Sequence, residues 1–167
     1  QGSPFTVNTF IPDNQSFAQL AKLNDGGYVV VWHSYTQDGS DWSVQARLMN
    51  ADGTPRSGEF QVNTYTSNNQ SNADVAVLNN GDFVVSWVSN SAPGNNDTYA
   101  RITALNNGGY VVGWSDSSGV NSYEAYAQQF DAAGNKIDSP LRLNNYTNST
   151  QYRPDVAGLT GDRWVAA

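Results

Sequence analysis

The chain has 167 residues, enough for one ordinary domain with a sizeable core, and carries 15 acidic against 8 basic side chains for a net charge of −7. That balance disfavours a nucleic-acid backbone or an anionic membrane surface as partner, and the absence of cysteine excludes a disulfide framework, a thiolate metal site and a cysteine nucleophile. Charged residues make up only 14% while Asn, Gly, Ser, Thr and aromatics are plentiful, so short strands joined by tight turns are expected in place of helices.

The first strand block is Phe5-Thr6-Val7-Asn8-Thr9, followed by Gln15. Next comes Asp25-Gly26-Gly27-Tyr28-Val29-Val30-Val31-Trp32: a turn supplying the positive-φ residues of a tight hairpin, then a run reading as a strand buried on both faces. Its apolar stretch, 28–32, is the longest in the chain and far too short to span a bilayer, so no membrane insertion is expected. Val44-Gln45-Ala46-Arg47-Leu48 alternates as a half-buried strand should and leads into the Asp52-Gly53 turn.

The same blocks then return. Phe60-Gln61-Val62-Asn63-Thr64 is followed by Gln70, a strand at 74–78 and Asn80-Gly81-Asp82-Phe83-Val84-Val85-Ser86-Trp87. Asn107-Gly108-Gly109-Tyr110-Val111-Val112-Gly113-Trp114 is a third copy, with Tyr126-Ala127-Gln128-Gln129-Phe130 and the Ala133-Gly134 turn behind it. Leu141-Arg142-Leu143-Asn144-Asn145 and Gln151 open a fourth, which reaches Gly161-Asp162-Arg163-Trp164-Val165.

Trp32 to Trp87 is 55 residues, but Trp87 to Trp114 is 27. Ala46 to Asp74 and Ala127 to Asp155 are both 28 residues, whereas the equivalent pair, Ala100 and Arg101, are adjacent, which places a loss of about 27 residues there. Ala100 and Arg101 are therefore expected not to be covalent neighbours in the native polypeptide. The chain reads as a single repeat array over 1–167, excised from something longer, with units at about 5–59, 60–100 (truncated), 101–140 and 141–167 (incomplete).

Four antiparallel strands per unit predict an all-β fold, a β-propeller of four-stranded blades present as about 3.5 repeats. Tandem β-sandwiches are the alternative, each consuming two units. Further blades are expected from the same chain or another. The recurring tryptophans 32, 87 and 114 are expected in the blade core.

The pattern Phe-x-Val-Asn-Thr, Gln, Val-Ala-x-Leu, Gly-Gly-Tyr-Val-Val-x-Trp, Asp-Gly, Ala-Gln-x-Phe-Asp-Ala-x-Gly resembles the repeats of large secreted bacterial proteins of the hemolysin-type calcium-binding (RTX-like) and adhesin-like kind. It covers essentially the whole chain. The resemblance implies a secreted, extracellular location and a propeller-like region beside calcium-binding tracts. The Gly-Gly-x-Gly-x-Asp nonapeptides that bind calcium in such proteins are absent, so no calcium ligand carries over residue by residue.

No residue is assigned a catalytic role. His33, the only histidine, directly follows Trp32 and reads as a polar strand-end residue in preference to part of a Ser34, His33, Asp38 set. The 36–42 stretch departs from the Asp box of sialidase propellers, because Asp38 and Gly39 are adjacent, and the arginines are dispersed through unlike repeat positions. Asp38, Asp41 and Asp116, with the turn residues Asp52 and Asp131, are the candidate calcium ligands, read against plain Asx turns. Tyr35, Trp42 and Tyr123 are the candidate ligand-binding aromatics, able to stack on sugar rings. Sequons at Asn14, Asn69, Asn96, Asn145 and Asn148 would mean glycosylation only in a eukaryotic secretory route, and the equivalent placement of Asn14 and Asn69 is explained by the repeat.

Strict strands beside variable loops at 37–42, 91–98 and 117–124 point to a non-enzymatic binding or scaffold module that contacts a glycan or a surface protein. A propeller hydrolase or lyase whose active site lies in other blades, and a structural spacer or assembly protein, are the alternatives.

Overall fold

The structure is a computed structural model that describes residues 4–90, 98–119, 122–145, 151 and 153–167. It is all-β: twelve strands in four antiparallel sheets, with no helix among the described residues and hence none long and apolar enough to cross a membrane. The first sheet is a meander of β1 (Gln15–Lys22), β2 (Tyr28–Tyr35), β3 (Trp42–Met49) and β4 (Phe60–Gln61). The second holds only β5 (Gln70–Val77) and β6 (Phe83–Ser89). The third is again a four-stranded meander: β7 (Thr98–Ala104), β8 (Tyr110–Gly119), β9 (Ser122–Phe130) and β10 (Lys136–Arg142). The fourth pairs β11 (Val156–Gly158) with β12 (Trp164–Ala166).

The Phe-x-Val-Asn-Thr block closes the sheet before it. Phe60 pairs with Ala46 and the Val62 amide donates to the Val44 carbonyl, just as the Leu143 amide donates to Ala125. Asn63 completes this join from its side chain. Its Oδ1 accepts the Val44 amide at 2.7 Å, and its Nδ2 reaches Gln70 Oε1, seven residues on, at 3.3 Å. Asn144 repeats both bonds with the Ala125 amide and Gln151, and Asn8 bonds Gln15 across the same interval. The clasp explains why Asn and Gln recur at fixed spacing: both are buried at the second sheet, where Gln70 also donates to the Ser67 carbonyl.

Each sheet begins with a hairpin whose turn carries a positive-φ glycine, at Gly26, Gly81, Gly108 and Gly161. The asparagine entering one turn donates to carbonyls of the next. Asn24 reaches Leu78 and Asn79, Asn79 reaches Leu105 and Asn106, and Asn106 reaches Leu159. One geometry thus relates all four first hairpins, including the pair separated by only 27 residues in sequence. Their opening strands pack in series, β1 on β5, β5 on β7 and β7 on β11.

The apolar core lies between sheets. Leu23, Val29, Val31, Val44 and Ala46 of the first sheet meet Ala73 and Val75 of the second. Leu105, Val111 and Ala127 of the third meet Val156, with Trp164 against them. Val7, from the first Phe-x-Val-Asn-Thr block, covers Val30, Trp32 and Met49 on the far face of the first sheet. The tryptophans do not share one fate, contrary to the sequence expectation. Trp32 is 4% exposed, but Trp87 is 36% exposed, because among the described residues no third strand lies beside β6.

At the junction of Ala100 and Arg101, β7 runs through both residues, which pair with Trp114 and Gly113. Thr98-Tyr99-Ala100 there take the place that Ser71-Asn72-Ala73 hold in β5.

Candidate functional site

The opening strands of the first three sheets are irregular at one repeat position. Register shifts fall between Ser16 and Gln19 in β1, Ser71 and Asp74 in β5, and Thr98 and Ala100 in β7. At each shift a non-glycine residue adopts positive φ: Phe17 at 52°, Asn72 at 52° and Tyr99 at 60°, with Arg153 at 67° just before β11. Asparagine tolerates this region, but for an aromatic it is strained, and such strain gathers at functional sites. The bulges turn these side chains out of the ladder and toward one another.

Because the opening strands pack in series, the four residues converge. Phe17, Asn72, Tyr99 and Arg153 line a single pocket of about 330 Å³ with Gln19, Ala73 and Arg101. Arg153 lies over the Tyr99 ring, its guanidinium carbon 4.1 Å from the centroid, and also donates to the Tyr99 hydroxyl. Its backbone amide donates to Ser115 Oγ at 3.0 Å, which anchors the loop to the third sheet. Phe17 is 72% exposed at the mouth. Arg101 occupies the repeat position of Asp74, whose carboxylate instead accepts the Ile102 amide at 3.1 Å and ties the second sheet to the third.

Two arginines therefore line one pocket in a chain of net charge −7. The arginines are dispersed through unlike repeat positions, yet Arg101 and Arg153 line the same pocket. They sit at different repeat positions, but the bulge places the two positions, two residues apart in register, on one rim. The available signal was the one repeat position filled by Phe17, Asn72, Tyr99 and Arg153, chemically unlike residues.

His33 belongs to the framework around this pocket. It is 2% exposed, and its Nε2 accepts the Ala73 amide at 3.0 Å, so the ring is held neutral and links the first sheet to the second. Burial pushes its pKa down from 6.5 to about 4. Ser115, at the same position in the third sheet, plays the same part toward Arg153.

The sequence-predicted aromatics divide. Tyr35 and Trp42 face each other across β2 and β3 with ring centroids 5.2 Å apart. Trp42 meets His33 edge-on at 6.4 Å, and His33 meets Phe17 at 5.4 Å, so a continuous aromatic run leads from this pair to the pocket. Tyr123 lies apart from them in β9, at the position of the third sheet equivalent to Trp42, where its carbonyl accepts the Gln151 amide.

The aspartates are not brought together. Asp38 sits in the β2–β3 turn, its Oδ1 accepting the Ser40 amide at 3.1 Å and its Oδ2 facing Asn63 Nδ2 at 3.5 Å, and the Asp41 carbonyl accepts the Thr36 amide in the same turn. Asp116 is on another sheet, paired with Glu124 across β8 and β9. Asp52 accepts the Thr54 hydroxyl and amide, and Asp131 the Asn135 side-chain amide and turn amides, which hold both carboxyls below the usual carboxylate range. Among the described residues no three His, Asp or Glu side chains gather as a metal site. Asn96 and Asn148 and most of the 91–98 loop lie outside the described residues.

No family model, curated protein or solved structure matches the chain.

Proposed function

We propose that the chain is a non-enzymatic binding module built of consecutive β-propeller blades, part of a secreted, adhesin-like bacterial surface protein, and that its ligand is an acidic glycan. The observation that carries the reading is the variable column itself. Phe17, Asn72, Tyr99 and Arg153 share one strained repeat position and one pocket, while the turn-to-turn asparagine bonds that set the hairpins side by side recur from sheet to sheet. A scaffold kept constant around a varied rim is the arrangement of a recognition surface.

Arg101 and Arg153 suit a carboxylate, since charge-assisted hydrogen bonds from guanidinium are strong and geometrically selective. Phe17 and Tyr99 suit the apolar face of a pyranose ring. The Tyr35 and Trp42 pair, reached through His33, gives a second aromatic surface along which a longer saccharide extends. The net negative charge of the chain disfavours acidic polymers everywhere except at this rim, so binding is expected to be local and salt-sensitive.

Titration with uronic-acid oligosaccharides and their carboxyl-reduced counterparts tests this. Saturable binding of the acidic forms is expected, weakened about tenfold or more by Arg153→Ala, which corresponds to the loss of one charge-assisted bond. Equal affinity for the reduced sugars, or binding indifferent to both Arg101→Ala and Arg153→Ala, would contradict it.

A further inference from the structure

Neighbouring sheets meet at the bulge pocket along seams that differ in what they offer a ligand. Between the third and fourth sheets the seam is shut: the Arg153 guanidinium lies over the Tyr99 ring and donates to its hydroxyl, and the Arg153 amide is held by Ser115 Oγ. Between the second and third sheets the Asp74 carboxylate accepts the Ile102 amide at 3.1 Å, with Asn72 and Tyr99 lining the pocket on either side of that bond. Tyr99, the ring at these two seams, has the guanidinium on its face.

The seam between the first and second sheets is built otherwise. His33 Nε2 accepts the amide of the buried Ala73, which joins the two sheets at the pocket wall. Side chains alternate between faces along a strand, so Tyr35 follows Val31 and His33 to the face turned toward the second sheet, and Trp42 shares that face with Val44 and Ala46, which pack on Ala73 and Val75. Phe17 carries the run into the pocket, 5.4 Å from His33, and Trp42 continues it outward, 6.4 Å from His33. Aromatic surface therefore leaves the pocket along this seam, between two sheets that are both described.

We infer that the site recognises the end of its glycan: one acidic sugar at the non-reducing terminus seats in the pocket with its carboxylate toward Arg101 and Arg153, and the rest of the saccharide leaves between the first and second sheets over Phe17, Trp42 and Tyr35. The inference rests on the acidic-glycan reading above and adds to it the place of the acid along the chain.

Size and exits both favour a terminal residue. A volume of about 330 Å³ stands at the lower end of the ~300–1,000 Å³ usual for ligand pockets, which suits one ring in place of a run of them. A sugar within a chain carries a linkage on each side and needs two ways out, whereas a terminal sugar needs one. The aromatic seam supplies one, since its rings suit the apolar faces of successive sugars. A second exit between the third and fourth sheets has to part Tyr99 from Arg153, which forfeits a cation–π contact and a hydrogen bond from a charged donor and releases the arginine that the contact holds in place.

The experiment titrates the full chain by calorimetry with two trisaccharides of otherwise neutral sugars, one with a single uronic acid at the non-reducing end and one with it at the central position. The terminal acid should bind tighter by about tenfold or more. Tyr99→Asn opens the shut seam with the residue that the second sheet carries at this position and that accepts positive φ, and there the ratio of the two affinities should fall below about threefold. A general loss of affinity or stability in the variant leaves that ratio unmoved. Equal or tighter binding of the central acid would overturn the inference while leaving the acidic-glycan reading in place, and so would a ratio unchanged by Tyr99→Asn. Binding of neither trisaccharide would overturn both.

Discussion

His33 shows how a residue that invites a catalytic reading serves as a joint. Its Nε2 must stay unprotonated to accept the Ala73 amide, and its folded pKa near 4 lies below the unfolded value of 6.5. Above pH 6.5 the stabilisation from the neutral ring is fully present. As pH falls from there toward 4 the unfolded chain takes up a proton that the folded chain refuses, and stability drops by about 3 kcal/mol at the limit. Because this is the only histidine, a urea titration series between pH 7 and 4.5 should show that decline, and His33→Gln should flatten it. Phe17 is the opposite case, a residue held against its own preference. Replacing it with Asn, which accepts positive φ, should raise unfolding stability by about 1 kcal/mol while weakening the glycan contact. Gain of stability with unchanged affinity would remove Phe17 from the site. At the clasp, Asn63→Ala strands the buried Val44 amide and should cost about 2 kcal/mol, and Gln70→Ala should lower the melting temperature without abolishing ligand binding.

At the scale of elements, the side-chain ladder from turn to turn does what covalent spacing cannot. Asn79 donates to Leu105 and Asn106 across a linker half the length of its neighbours, so the second and third hairpins dock as the first and second do. Asn24→Ala, Asn79→Ala and Asn106→Ala should each cost about 1 kcal/mol in chemical denaturation, and adjacent pairs should show coupling, since Asn24 bonds Asn79 and Asn79 bonds Asn106. The strands, their turns and the period were legible in the sequence because alternation, Gly at positive φ and the Asn-Gly turns are local signals. Pairing was legible only in part. That Phe60 belongs with Ala46, and so closes the preceding sheet, is a contact between distant segments that no local pattern marks. Tyr35, Trp42 and Tyr123 read from the sequence as one set of loop aromatics, and the cross-strand contact of the first two follows from the hairpin between them. Arg101 and Arg153 were not recognised. Bulges rotate side chains out of the alternation that sequence reading relies on, and only the packing of β7 beside β11 puts the two on one rim. Trp87 was misread for a related reason: a repeated core residue is buried only when the strand that covers it is present.

At the scale of the molecule, the central claim is that the four sheets turn about a common axis as blades do, bringing the opening strands of the first and last sheets to one pocket. An all-β fold of four antiparallel sheets is compatible with a row of sandwiches, so the curvature decides between the two. The pocket at the bulges is lined by the opening strands of the first three sheets and the segment before β11, so a distance between the first and last sheets reads the curvature. The absence of cysteine makes the curvature measurable, since thiols introduced at chosen sites are the only ones in the chain. Spin labels at Gln15→Cys in β1 and Ala157→Cys in β11, flanking the pocket and outside its lining, should give a dipolar distance shorter than about 20 Å, two sheet spacings. A distance near or above about 30 Å, the length of three steps along a straight stack of sheets, would contradict the account.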